Sequence, residues 1–176
     1  MRRLLAIAAC GLLAAGCGFH PLYAVPDAPD GAMQKQLQSI YVEPVPDRLG
    51  YELRNTLIDL LDARGRAAGA DYRLRVYLSQ KSEAIGVQSQ EAPGGITQTA
   101  ITRYNDTLTA QFELVEVRTN TVVTQGVETG LTSYNVLTSP YATLAAQQDA
   151  DRHAAEDIAD RIRIDLAVFF AQQAKK

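Results

Sequence analysis

From Tyr72 to Leu78 polar and apolar side chains alternate without a break. A period of two predicts a half-buried strand, with Leu74, Val76 and Leu78 toward a core and Arg73, Arg75 and Tyr77 away from it. A shorter strand is expected over Gln38–Val45, centred on Ile40-Tyr41-Val42 and ended by Pro44 and Pro46. Asp47 then suits a helix N-cap. Leu49, Leu53, Leu57, Leu60 and Leu61 share one helical face through residues 48–64, and Gly65 supplies a stop. Pro93-Gly94-Gly95 marks a loop, read as a long hairpin connection. Alternation resumes over residues 97–118, with Tyr104, Leu108, Ala110, Phe112 and Leu114 in phase. A hairpin turn at Thr119-Asn120-Thr121 leads to a further strand marked by Val123, Val127 and Leu131. Ser139-Pro140 interrupts the pattern, and a long helix follows over residues 143–173. Its apolar stripe is Ala155, Ile158, Ala159, Ile162, Leu166 and Phe169; Asp149, Arg152, Glu156, Asp160 and Arg163 take the opposite face. The order strand, helix, three strands, helix predicts an α+β two-layer sandwich. A mostly antiparallel or mixed four-stranded sheet carries two helices on one face.

The N-terminus has a different pattern. Arg2 and Arg3 precede an uncharged run, Leu4–Ala15, that ends at Ala14-Ala15-Gly16-Cys17. A basic start, an apolar stretch of about 7–15 residues and small residues at the cut describe an export signal. The run falls short of the roughly 20 apolar residues of a membrane span. A cysteine directly after the small residues points to lipoprotein processing, with residues 1–16 removed and Cys17 carrying diacylglycerol and an N-acyl chain. Cys10 follows a similar motif, but cleavage there leaves only Leu4–Ile7 as apolar core, so Cys17 is the expected attachment site. Gly18 rather than Asp follows Cys17, which favours the outer membrane, facing the periplasm. Residues 17–36, with Pro21, Pro26, Pro29 and Gly31, are expected to form the lipidated start and a flexible tether. Residues 37–176 then form a single domain.

Composition narrows the function. The chain has 17 basic and 20 acidic residues. Without Arg2 and Arg3, 15 basic residues face 20 acidic ones, a net charge of −5. That balance argues against nucleic-acid binding, which needs a basic surface. With Cys17 lipidated, the processed chain has no thiol for a disulfide, a metal cluster or nucleophilic catalysis. His153 lies near Asp149, Glu156 and Asp157, but a charged helix flank explains the grouping better than a metal site does. No serine sits in a strand-turn-helix elbow, and His20 is next to the lipid, so hydrolase chemistry is not expected. No enzymatic activity and no cofactor beyond the acyl chains is expected. Arg73 and Arg75 project the same way from one strand, with Arg103 and Arg118 as candidate neighbours; guanidinium groups suit phosphate. The alternative is a solvated sheet face or contact with a protein wall. Tyr134 and Tyr141 flank a loop and are candidate interface residues, or else core packing at a helix entry.

Several segments together resemble one family. Cys17-Gly18-Phe19-His20-Pro21-Leu22-Tyr23 resembles the mature start of the lipopolysaccharide-assembly lipoprotein family LptE, in its alphaproteobacterial form. Tyr51-Glu52-Leu53-Arg54-Asn55-Thr56-Leu57 resembles the family's first helix. Ser133-Tyr134-Asn135, Ser139-Pro140-Tyr141-Ala142 and the segment Asp149 to Glu156 resemble its C-terminal part. Ala14 departs from the Leu common at that position. The resemblance implies a sheet-and-two-helix sandwich without covalent chemistry. It implies a plug in the lumen of an LptD-type outer-membrane β-barrel, helping the barrel fold and assisting placement of lipopolysaccharide in the outer leaflet. An accessory lipoprotein of a phospholipid or ABC-type transport system is the alternative.

Overall fold

The structure, a computed structural model, describes residues 29–63, 67–92 and 96–174. The signal segment, Cys10, Cys17, His20, Gly65 and the Pro93-Gly94-Gly95 turn lie outside the described residues. From Met33 onward the chain forms one compact unit. In order, the elements are α1 (Pro29–Gln38), β1 (Ile40–Val42), α2 (Asp47–Leu61), β2 (Tyr72–Ala92), β3 (Ile96–Glu116), β4 (Thr121–Asn135) and α3 (Pro140–Gln173). The strands form one mixed sheet in the order β1-β2-β3-β4. β1 runs parallel to β2, and the other pairs are antiparallel. The α+β fold is the one the alternation predicts.

Helix α1 is a departure from the expected tether, which was to run irregularly to residue 36. Pro29 stands in its first turn, where the missing N–H has no intrahelical partner to lose. Leu37 joins the core from its last turn. Helix α2 also starts and stops by other means than expected. Asp47 does not cap through its side chain; it is the first helical residue, with φ 67°, and Pro46 occupies the cap position without a side-chain hydrogen bond. At the other end Asp62 takes the left-handed conformation, φ 51° and ψ 36°, and its N–H donates to the Asp59 carbonyl at 3.2 Å. The helix is over before Gly65. An aspartate tolerates this conformation better than most non-glycine residues.

The sheet's inner face follows the predicted phase. Leu74 and Val76 on β2 and Leu108, Ala110, Phe112 and Leu114 on β3 are buried, against Leu53, Leu57 and Leu61 of α2 and Ala155, Ile158, Ala159, Ile162 and Leu166 of α3. β4 turns large apolar side chains outward. Val127 and Leu131 lie on the outer face, 60% and 70% exposed, while Val123 is partly buried. Register explains it: Gly126 pairs with Phe112 and Gly130 with Leu108, so β4 turns its glycines inward. A Cβ on Gly130 would stand 3.2 Å from the Ala154 carbonyl oxygen and the Ile158 side chain; one on Gly126 would stand 2.6 Å from the Phe112 ring. The missing side chains admit the Phe112 ring at one position and the backbone of α3 at the other.

Helix α3 begins at Pro140, three residues before the expected Thr143, because proline fits a first turn that it would break later. It runs 34 residues, about 51 Å at 1.5 Å per residue. Its buried stripe ends on Phe170 rather than Phe169, which is partly buried. The β2–β3 ribbon is longer still. Beyond Arg103, toward the turn, β3 no longer pairs with β4, and the two strands continue as a two-stranded hairpin.

Candidate functional site

The four candidate arginines do not form one cluster. Arg73 and Arg75 stand on the outer face of β2 and share Glu43: Arg73 Nη1 is 3.7 Å and Arg75 Nε 3.4 Å from its carboxylate. Arg73 Nη2 also donates to Asn120 Oδ1 at 2.7 Å. Arg118, with its side chain 83% exposed, lies 3.5 Å from Glu116. Glu116 pairs in register with Tyr72, so Arg118 belongs to the same end of the sheet. A shallow cavity of about 340 Å³ opens there, lined by Gln36, Asp71, Tyr72, Glu116, Val117 and Arg118. Burial pushes the Tyr72 phenol above its ordinary range, helped by Glu116 and Asp71. Arg103 is far away. Val115 is the partner of Arg73, and Arg103 is twelve residues back along β3, about 40 Å at 3.3 Å per residue. There it donates to Ser133 Oγ at 2.7 Å. The structure therefore brings together Arg73 and Arg75 at Glu43, places Arg118 beside Glu116 at the same end of the sheet, and separates Arg103 from them.

The two tyrosines also part. Tyr141, in the first turn of α3, is 82% exposed. Tyr134 is half-buried and stacks on its register partner Tyr104, centroids 5.6 Å apart. Burial raises its phenol first, then Asp106, Tyr104 and Asp151. His153 meets only Glu156, at 3.3 Å, with both side chains exposed, while Asp149 pairs with Arg152. Among the described residues no group of three or more metal-ligating side chains is arranged to hold an ion.

No described helix lies over the sheet's outer face. Tyr77, Gln111 and Val127 stand in one row across β2, β3 and β4, and Lys81, Thr107 and Leu131 in another. Ile85, Val87 and Ile101 are exposed farther along the ribbon. At the sheet edge, Arg161 Nη1 donates to the Thr129 carbonyl at 2.7 Å, covering one acceptor of the free β4 backbone.

One group of polar residues escaped the sequence reading. Gln80, Asp106 and Asp151 meet on the inner face, where α3 crosses the sheet. Its signal was present. Asp106 stands in phase with Tyr104, Leu108 and Ala110, so a carboxyl occupies a core position. Asp151 lies four residues before Ala155 on the buried stripe.

What these features define is a small α+β domain that exposes one sheet face and a long β-ribbon. The model of the lipopolysaccharide-assembly family LptE matches residues 37–166. The chain belongs to that family. In structure it is similar to a candidate lipoprotein from Caulobacter crescentus, with 26% identity and TM-score 0.63, over 80% of this chain and 97% of that one. It also shares the fold of rare lipoprotein B from Shewanella oneidensis, with 14% identity and TM-score 0.53, over 77% of this chain and 96% of that one. No curated protein matches the chain. No described helix is long and apolar enough to cross a membrane.

Proposed function

We propose that this chain is a non-enzymatic outer-membrane lipoprotein that plugs an LptD-type β-barrel, helps it assemble and assists insertion of lipopolysaccharide into the outer leaflet. In this reading residues 1–16 are removed, Cys17 carries the acyl chains, and the segment between Cys17 and α1 is the tether. The observation that carries it is the family match over residues 37–166, which spans every strand of the sheet and most of α3. The outer face, over which no described helix lies, supports it further. Val127, Leu131 and Tyr77 offer apolar contact area to a surrounding wall, interleaved with uncharged Gln111, Thr107 and Thr109. Tagged protein captured from detergent-solubilised outer membrane is expected to bring down one large β-barrel in stoichiometric amount, identified by mass spectrometry. Transport ATPase or phospholipid-carrier proteins in its place would favour the accessory-lipoprotein alternative and overturn the plug.

Arg73 and Arg75 are the paired candidates for lipid A or core phosphates, with Arg118 at the same end of the sheet and Arg103 a separate contact at the far end. Each charged hydrogen bond contributes about 1.5–3 kcal/mol. Arg73→Ala combined with Arg75→Ala is therefore expected to weaken lipopolysaccharide binding by about tenfold or more, read as Kd by titration with labelled lipopolysaccharide. The Glu43→Gln variant is expected to tighten it, because Glu43 partly neutralises both arginines. Unchanged affinity in both would remove this end of the sheet from the lipid path.

A further inference from the structure

The polar contact beneath α3 holds two carboxyl groups on one amide. Gln80 Nε2 donates to Asp106 Oδ2 at 3.1 Å and to Asp151 Oδ1 at 2.8 Å. A side-chain amide has two N–H groups, so both are used. Asp106 is 1% exposed, and its second oxygen, Oδ1, is buried with no partner. Asp151 is also buried, and its nearest cation is Arg48, 3.5 Å away with a half-exposed side chain. That guanidinium is already engaged by Glu52 at 2.6 Å, and the other Glu52 oxygen is buried and unpartnered. Three acids thus converge from α2, β3 and α3 on a single arginine and a single amide.

Two ionised carboxylates this close, largely out of water and with so few donors, repel each other. One proton on the pair removes the repulsion and supplies an O–H donor. We propose that Gln80, Asp106 and Asp151 form a proton-operated latch, which holds the first third of α3 on the sheet when one carboxyl is protonated and loosens it when that proton leaves. Charged and titratable groups reach this point from several elements. α2 presents Arg48 and Glu52, β3 presents Asp106 and Tyr104, and β4 presents Tyr134. On α3 itself Asp149, Arg152 and His153 lie on the exposed side. The surroundings act in the same direction: burial raises Asp151 above the ordinary aspartate range, and Asp106 and Glu52 add to this, while Gln80 and Arg48 oppose it.

The sign of the effect is fixed. A carboxyl raised in the folded state binds more protons there than in the unfolded chain, so stability falls as pH rises. The fall begins near the ordinary value of 3.8 and ends at the raised one. Below the window the latch is closed, and above it the penalty is constant. The Glu128 carboxyl, raised by burial and by Asp165, shifts in the same direction. It is present in all variants and cancels in a comparison.

The full lipoprotein in detergent micelles gives the test. Thermal unfolding of the native protein and of Asp151→Asn would be followed from about pH 4 to about pH 8. Inside the window, loss of one proton is expected to lower Tm of the native protein by about 3–5 °C per pH unit relative to the variant. Infrared difference spectra, native minus Asp151→Asn, taken through the titration are expected to show one protonated carboxyl that persists above the ordinary aspartate value of 3.8. Parallel Tm profiles, or a difference spectrum without that band, would overturn the latch. If Asp151→Asn does not fold, the native protein alone decides. Amide hydrogen-exchange protection over residues 143–155 is expected to fall with rising pH relative to residues 158–170. A constant ratio would refute the proposal.

Discussion

Replacing Phe170 by alanine is expected to lower stability by about 3–5 kcal/mol, as loss of a large buried aromatic does when its surroundings cannot close the space. Phe170 has no exposed surface. Its ring meets Tyr72 of β2 edge-on at 5.2 Å and the adjacent Phe169 at the same distance. It therefore joins the end of α3 to the strand at the centre of the mixed sheet, where β1 runs parallel and β3 antiparallel to β2. For a domain of this size the loss corresponds to a Tm fall of about 6–20 °C, measured by circular dichroism of the detergent-solubilised protein. Phe169→Ala is the control. Being partly exposed, Phe169 leaves a space that water can enter, and its loss is expected to cost about half as much or less. Equal effects from the two variants would mean that the end of α3 is rotated from the arrangement described.

Phe170 also illustrates where the sequence stops deciding. From Leu166 the next buried position lies three or four residues on, and both spacings are helical. Apolar periodicity allows Phe169 and Phe170 alike. The Tyr72 ring across the layer decides between them, and one-dimensional pattern holds no record of that partner. The same limit explains β4. Val123, Val127 and Leu131 mark a strand but do not say which of its faces is inner, although apolar residues on a strand usually face a core. Gly126 and Gly130 carry no hydrophobic signal, yet they are the residues that admit the Phe112 ring and the helix backbone. Shape, rather than hydrophobicity, sets that face.

Strand length was obscured in a related way. Alternation after Leu78 gives way to Ser79-Gln80-Lys81-Ser82-Glu83, polar on both faces, although β2 continues to Ala92. Backbone pairing with β3 carries the strand through a stretch where no side-chain pattern marks it. Where the pattern is strong the reading is accurate: Leu74, Val76, Leu108, Ala110, Phe112 and Leu114 are buried as their phase requires. The candidate sites were less legible. Arg73 and Arg75 are neighbours because they are two residues apart on one strand, which sequence states directly. The distance from Arg103 to that pair depends on a hairpin register that composition does not reveal. Asp106 was visible as a carboxyl at a core position, but its significance required Asp151, 45 residues away, and Gln80, 26 residues away.

Cys17→Ala is expected to abolish acylation entirely, with labelled palmitate incorporation falling to background, while Cys10→Ala leaves it unchanged. The asymmetry rests on the apolar run. Cleavage before Cys17 uses the whole of Leu4–Ala15, whereas cleavage before Cys10 leaves four residues of apolar core, below the roughly seven a signal requires. The consequence for the membrane follows from the chains themselves. Each buried methylene contributes about 0.8 kcal/mol, and one acyl chain binds a bilayer only marginally, so stable anchoring needs more than one. Removing the attachment residue removes all of them together. No described helix is long and apolar enough to substitute. Fractionation should then separate two forces. Without the barrel, Cys17→Ala protein exported behind an ordinary cleavable signal is expected in the soluble periplasmic fraction. With the barrel present, it is expected to remain with it, because the contacts proposed for Tyr77, Val127 and Leu131 with a surrounding wall would not depend on acyl chains. Retention in the membrane fraction without the barrel would show that the anchor lies elsewhere. Loss from the barrel would show that the lipid, rather than the sheet face, supplies the association.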